Sequence, residues 1–204
     1  TDIAIHWTDR QAGQDIRIEN GAIRLDTASL VKDATGLSVE ADLAVNGEKL
    51  PPMAINARIR KLFDDNRQLR LQQAKARLSA ELPGTDVTLS GDMAKQALDG
   101  DIAVDLAELT QAAAPLAHGL FKDSTVRGKM QLAASGTRSV DKKIAFSADL
   151  TGKALSVSGN LIGRRDIGPA DMAVSADGEM DLQKMALTLY QGSVSLLENS
   201  RLAC

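Results

Sequence analysis

The chain has very few of the side chains that usually build catalytic and metal sites. Its 204 residues include two histidines and one cysteine, Cys204, at the last position. A single cysteine excludes an intramolecular disulfide and a cysteine-clustered metal site. Neither His6 nor His118 has a second ligand at metal spacing, and phosphate-loop, zinc-protease and serine-hydrolase motifs are absent. The sequence therefore predicts a non-enzymatic protein without metal or cofactor.

Aromatic residues are also scarce, at 2% of the chain, although hydrophobic residues reach 44%. Aliphatic side chains and Met supply almost all of the apolar surface, whereas cores of this size usually use aromatic rings to fill volume. This composition favours a thin or open apolar surface. Nucleic acid is excluded as a partner because the net charge is −3, no basic run stands out and few rings are present for stacking.

Long hydrophobic runs are missing as well. No apolar run approaches the ~18 residues of a membrane span, and Thr1 does not open a signal peptide. The chain begins without Met and inside a patterned segment. We therefore expect residues 1–204 to be a single β-rich segment of a longer protein, with any targeting or membrane anchor outside it.

Alternation of apolar and polar residues dominates what is present, as in strands with one buried face. Residues 16–25 alternate around Asn20-Gly21, a dipeptide typical of type I′ turns, and predict a hairpin. Residues 37–45 and 53–62 predict two further strands. Alternation returns in segments within 126–136, 143–150, 154–161, 171–182 and 185–196. About a dozen strands joined by turn chemistry predict a long antiparallel meander.

Residues 69–82 fit either a helix or a strand. Several residues favour a helix, but 73–82 alternate strictly, and the slip at Gln72-Gln73 matches a β-bulge. We favour a strand here. Pro83-Gly84 predicts the next turn, and the strand 100–106 follows a turn signal at Asp99-Gly100.

One stretch departs from alternation. Residues 105–121 place Leu and Ala near helical spacing, with Asp105 as a plausible N-cap. Pro115 should kink or end the helix. We expect one short helix there.

Residues 6–10, "HWTDR", suggest chemistry because they combine histidine, tryptophan, aspartate and arginine. In a strand, however, Ile5 and Trp7 share one face while His6 points to the other, so His6 and Trp7 cannot converge on one ligand. The remaining carboxylates sit mostly at turns and on polar strand faces, and Arg164-Arg165-Asp166 fits an exposed loop. A carbohydrate-binding domain using Trp7 is a weaker alternative, because one tryptophan offers little sugar stacking.

The positive signal lies in the apolar positions, which alternation places on one side of the sheet. The candidate lipid-contacting residues are Ile55, Ile59, Leu69, Leu71, Leu89, Ile102, Val104, Met130, Leu132, Phe146, Leu187 and Leu189. Pattern alone favours a two-layer β-sandwich acting as a scaffold or interaction module. The alternative is one curled sheet whose concave apolar face holds lipid chains.

Three stretches together resemble the AsmA-like family of bacterial envelope proteins, of the AsmA/TamB type. Residues 3–25 are similar to the family's opening strand, Asp, Gly-containing turn and second strand. Residues 105–137 resemble its short helix and the following strand, and residues 177–196 its closing element, in which a Leu-Tyr pair precedes a Gly turn. Gln191 stands where a Gly commonly follows the Tyr.

The resemblance implies an elongated antiparallel β-sheet meander curled into an apolar-lined groove. It also implies a periplasmic location, an inner-membrane anchor outside this chain, and transport of phospholipid toward, or assembly of, the outer membrane. An aliphatic face suits fluid acyl chains because the hydrophobic effect is non-directional. Open sheet edges further predict that copies of the segment dimerise or stack, either edge to edge as a homodimer or with their apolar faces meeting.

Overall fold

The computed structural model describes residues 2–9, 14–27, 35–61, 63, 68–115, 121, 123–138, 143–163, 165–181 and 183–198. These residues form a single antiparallel sheet and one α-helix. The strands are β1 (Asp2–Asp9), β2 (Gln14–Thr27), β3 (Thr35–Val45), β4 (Glu48–Lys49), β5 (Met53–Arg60), β6 (Lys75–Leu82), β7 (Thr85–Asp92), β8 (Ala97–Asp105), β9 (Ser124–Arg138), β10 (Lys143–Gly159), β11 (Arg165–Asp181) and β12 (Ala186–Glu198). The helix α1 (Leu106–Ala113) lies between β8 and β9.

The sheet follows the chain as a meander. Its order is β1-β2-β3-β5-β6-β7-β8-β9-β10-β11-β12, with the short β4 paired to β3, and the two outer strands do not close on each other. The main contacts of each described strand are with its sheet neighbours, apart from contacts of α1 with β8 and β9 and of a 3₁₀ turn at 160–162 with β10 and β11. The predicted antiparallel meander is confirmed. The two-layer sandwich that pattern alone favoured is wrong for the part of the chain that is described, because no second sheet packs on the first.

Several strand boundaries follow the sequence signals directly. β3 covers the predicted segment 37–45, and β5 covers 53–60 of the predicted 53–62, whose residue 62 lies outside the described residues. Pro51-Pro52, which has no place in a ladder, separates the two strands. Leu82 pairs with Thr85, so Pro83-Gly84 forms the tight turn that was predicted. Gly84 has φ +69°, a conformation that favours glycine.

Two turn predictions were wrong. Asn20-Gly21 does not close a hairpin, because β2 continues through it as one strand whose register shifts against both β1 and β3. Asn20 has φ +52°, so its left-handed conformation serves a β-bulge. Asp99-Gly100 lies inside β8 rather than before it, and the chain reverses at 93–96 instead. A Cβ at Gly100 would lie 3.0 Å from the side chain of Leu89, so this glycine makes room for the leucine opposite it.

The predicted strand over 69–82 is only partly correct. Strand β6 begins at Lys75, and 71–73 form a 3₁₀ turn rather than a bulged strand. Leu69 forms an isolated bridge to Phe63. Ala74, only 7% exposed, accepts a hydrogen bond of 3.0 Å from the N–H of Met93. That bond fixes where the ladder starts, and alternation alone does not encode it.

Helix α1 confirms the prediction within 105–121. The Asp105 carboxylate caps it by accepting hydrogen bonds from the N–H groups of Ala107 (3.1 Å) and Glu108 (3.2 Å). The backbone N–H of Asp105 donates to the carbonyl of Gly84 at 2.8 Å. The helix is therefore attached to the turn between β6 and β7. It ends two residues before Pro115, and residues 116–120 lie outside the described residues.

A line of irregularities crosses the three longest strands. The predicted strands 143–150 and 154–161 join into the single strand β10, which ends at Gly159, so that 160–161 belong to the 3₁₀ turn. The register of β10 shifts around Leu155 against β9 and β11. On β9, Gly128 has φ +118°, and on β11, Gly168 has φ +93°. A side chain at either glycine would collide with the backbone of Leu155. Bulges bend strands and increase their local twist, and here the irregularities lie next to one another on three neighbouring strands.

Candidate functional site

The strand register places the predicted lipid-contacting residues on one face of the sheet, with two exceptions. Paired residues in an antiparallel ladder share a face, and residues two apart along a strand do so as well. By this rule the same face carries Ile55, Ile59, Leu89, Ile102, Val104, Met130, Leu132, Phe146, Leu187 and Leu189. We call this side the apolar face.

One row of directly paired residues runs across this face through β2, β3 and every strand from β5 to β12. The row, here called the central row, is Ile23, Val39, Ile55, Ala80, Val87, Ile102, Leu132, Leu150, Val174 and Val194. Each member is aliphatic. The apolar character is therefore continuous from strand to strand and is not confined to a patch.

A matching row on the opposite face consists of polar residues, apart from Ala133. The row displaced by one residue consists of Arg24, Ser38, Asn56, Ser79, Thr88, Asp101, Ala133, Asp149, Ser175 and Ser193. We call this side the polar face. Along these two rows, the apolar and polar positions stay in register from β2 to β12.

Exposure on the apolar face varies from strand to strand and is high on the last strand. Ile102, Val104, Met130, Leu132 and Phe146 are half-buried. Ile55, Ile59 and Leu89 are between 37% and 41% exposed, whereas Leu187 and Leu189 on β12 are each 60% exposed. Because monomeric soluble proteins rarely expose large contiguous apolar patches, such a face is a candidate interaction surface.

Leu69 and Leu71 are separated from this set. Both precede β6, in the isolated bridge and the 3₁₀ turn, and they are 57% and 59% exposed. No ladder pairs them with the residues of the apolar face. Their assignment to a common lipid-contacting surface rested on a continuous strand over 69–82, which does not form.

Ion pairs on the polar face join neighbouring strands. Lys75 contacts Asp92 at 2.8 Å, and Lys143 contacts Glu179 at 2.5 Å. The hydrogen bond from Lys75, with two backbone N–H donors, holds the pKa of Asp92 below its ordinary value. The hydrogen bond to Glu179 raises the pKa of Lys143. These pairs are exposed enough to be screened by solvent, so they fit a solvated face better than a reaction centre.

His6, from the predicted cluster 6–10, contacts Asp15 at the first edge of the sheet, while Arg10 lies outside the described residues. His6 and Trp7 pair with Arg17 and Ile16 in the β1–β2 ladder, so they fall on opposite faces as predicted. His6 Nε2 lies 2.5 Å from Asp15 Oδ1, and Arg17 donates to Asp15 Oδ2 at 2.9 Å. The hydrogen bond from Arg17, followed by that from His6, lowers the pKa of Asp15. Sequence reasoning missed Asp15 as the partner of His6, because only the ladder brings the two together.

The described part of the chain contains no cluster of three or more metal-ligating side chains. Within it, no helix has both the length and the hydropathy needed to cross a membrane. Comparison with known proteins gives no match to a family model, to a curated protein or to a solved structure.

Proposed function

We propose that the apolar face binds phospholipid acyl chains and that the chain is a non-enzymatic, periplasmic segment of an AsmA-like protein that carries lipid toward the outer membrane or supports its assembly. The observation that carries the proposal is the central row, which presents aliphatic side chains from β2 to β12. The curled, groove-like form of the sheet and the anchor in the inner membrane belong to the same proposal.

The chemistry of the face suits a fluid, variable ligand. Acyl chains offer no hydrogen-bonding groups, and their transfer from water is worth about 0.8 kcal/mol for each buried CH₂. A surface of Ile, Leu, Val and Met accepts such chains in many positions, because dispersion and hydrophobic contacts have little directional preference. The continuity of the row supports movement of a chain along the sheet without a polar barrier.

A pair of matched variants tests lipid binding. Leu89→Gln with Leu98→Gln changes two residues of the apolar face that are 37% and 60% exposed. Thr88→Gln with Asp101→Gln changes a directly paired couple on the polar face of the same two strands. Because the leucines are already partly exposed, we expect both variants to keep the β-sheet signal in circular dichroism.

The measurement is binding of a fluorescent fatty acid, together with native mass spectrometry after incubation with vesicles of phosphatidylethanolamine and phosphatidylglycerol. Losing about 1 kcal/mol of apolar contact at each leucine would weaken binding by roughly 30-fold. The polar-face variant should bind like the unmodified chain. Equal binding by all three proteins, or no lipid bound to the unmodified chain, would contradict the proposal.

Location has its own test. Cells expressing the full-length protein are fractionated by osmotic shock and membrane flotation. The proposal expects this segment to be degraded by protease added to spheroplasts and to remain with the inner membrane before digestion. Protection from protease in spheroplasts would overturn the periplasmic assignment without affecting the lipid-binding result.

A further inference from the structure

The polar face carries a cluster of arginines on the neighbouring antiparallel strands β5 and β6. Arg58 pairs directly with Arg77, and Arg60 pairs directly with Lys75. Directly paired Cα atoms lie roughly 4.5–5.5 Å apart, so four cations occupy a small area. Like charges placed directly opposite each other destabilise a sheet. This arrangement therefore costs stability unless anions neutralise it.

Carboxylates of the described residues do not neutralise the arginines. Lys75 has Asp92 as a partner, but Arg58, Arg60 and Arg77 make no ion pair with any described carboxylate. Arg58 faces Gly36 on its other side, and Arg77 faces Ser90. Asp99 lies beyond Ser90, one strand further from Arg77.

Two shallow hollows meet at the Arg58–Arg77 pair. One, of about 290 Å³, is lined by Gly36, Ser38, Asn56 and Ser79 as well as by both arginines. The other, of about 390 Å³, adds Arg60, Lys75, Ser90 and Lys95, with the carboxylates of Asp92 and Asp99 at its side. The hydroxyl and amide groups can each donate a hydrogen bond next to a guanidinium.

We propose that the Arg58–Arg77 pair binds a phosphate group. Two guanidinium forks match the oxygens of a phosphate in the bidentate geometry that arginine favours. Neighbouring serine and asparagine donors can satisfy the remaining oxygens. A free phosphate and a lipid headgroup share this chemistry. The site lies on the face opposite the central row, so the inference does not depend on the proposed function.

The test compares three proteins by isothermal titration calorimetry with sodium pyrophosphate and with dihexanoyl phosphatidic acid, at about 0.15 M salt to screen non-specific attraction. The first is the unmodified chain. The second carries Arg58→Gln and Arg77→Gln, and the third carries Arg127→Gln and Lys153→Gln, which remove the same charge from exposed positions elsewhere.

We expect pyrophosphate to bind the arginine variant at least about tenfold more weakly than the other two proteins, since hydrogen bonds to charged groups are the strong ones. Without ligand, the arginine variant should melt no lower than the unmodified chain, because a like-charge pair is removed. If the unmodified chain binds phosphatidic acid more tightly than pyrophosphate, and this binding needs the two arginines, the bound phosphate belongs to a lipid headgroup. If the unmodified chain binds the two probes equally tightly, the bound phosphate is a soluble one. Equal affinities of all three proteins for both probes, or no binding by the unmodified chain, would overturn the proposal.

Discussion

The attachment of α1 to the turn between β6 and β7 gives a sharp prediction about two glycines. Gly84 and Gly163 both have φ +69°, so an alanine at either position costs about 1–2 kcal/mol of backbone strain. Their surroundings differ. A Cβ at Gly163 would meet nothing within 4 Å, whereas at Gly84 it would lie 2.7 Å from Leu109 Cα and 2.9 Å from the carbonyl oxygen of Asp105.

Those neighbours of Gly84 are backbone atoms, which cannot rotate aside, so α1 must move. Displacing the helix weakens a hydrogen bond to the turn and exposes part of Ala112, now 8% exposed. Together these losses add about 1–2 kcal/mol. Gly84→Ala should therefore lower the unfolding free energy by about 2–4 kcal/mol, against about 1–2 kcal/mol for Gly163→Ala. Urea unfolding followed by circular dichroism measures both. Equal losses would refute the described docking of α1.

Two further predictions concern the sheet edge and acid stability. No charged residue lies between Ala186 and Leu197 on the outer strand β12, so the chain should dimerise at high concentration through this edge. Val194→Lys should reduce the dimer fraction measured by sedimentation velocity. An unmodified chain that stays monomeric at all concentrations would contradict this prediction. The pKa of Asp105 is lowered from 3.8 chiefly by the Glu108 N–H, as are those of Asp92 and Asp181 by their own donors. These three ionised carboxylates therefore stabilise the folded chain above about pH 4, and this stabilisation is lost as the pH falls through their lowered pKa values. Asp105→Asn preserves a helix cap, so the free energy of unfolding of this variant should fall less than that of the unmodified chain between about pH 5 and about pH 2. The same pH dependence of unfolding in both proteins would contradict a stabilising role for the Asp105 carboxylate.

Period-two alternation predicted the fold class well, because successive side chains of a strand lie on opposite faces of a sheet, so alternating apolar and polar residues separate onto two faces. Turn chemistry was less reliable. Asn20 adopts the left-handed conformation that a hairpin turn needs but uses it in a bulge, and Gly100 serves as space for Leu89. In the sequence, both residues look like turn residues. Whether such a residue forms a turn or lies within a strand depends on pairing with the neighbouring strands.

The two candidate sites also differ in how far the sequence predicts them. Most members of the apolar face follow from alternation, because a face requires only the parity of positions along an unbroken strand. On β12, the register shift between Leu189 and Gln191 changes this parity, so Leu189 and Val194 lie on the same face. The pairing of Arg58 with Arg77 requires the register between β5 and β6. Residues 61–74 separate these strands, and a connection of that length does not fix register as a two-residue turn does. Alternation and turn signals therefore do not predict the arginine cluster.

Photo-crosslinking tests the central claim, acyl-chain binding on one face, most directly. Benzoylphenylalanine replaces Ile102 or Leu132 on the apolar face, and Asp101 or Ala133 on the polar face, in separate proteins incubated with phospholipid vesicles and irradiated. Each apolar position has its control one residue away on the same strand. We predict lipid adducts in mass spectra of the Ile102 and Leu132 replacements and none in the other two. Equal labelling of both faces, or labelling of the polar face alone, would contradict lipid binding on the apolar face.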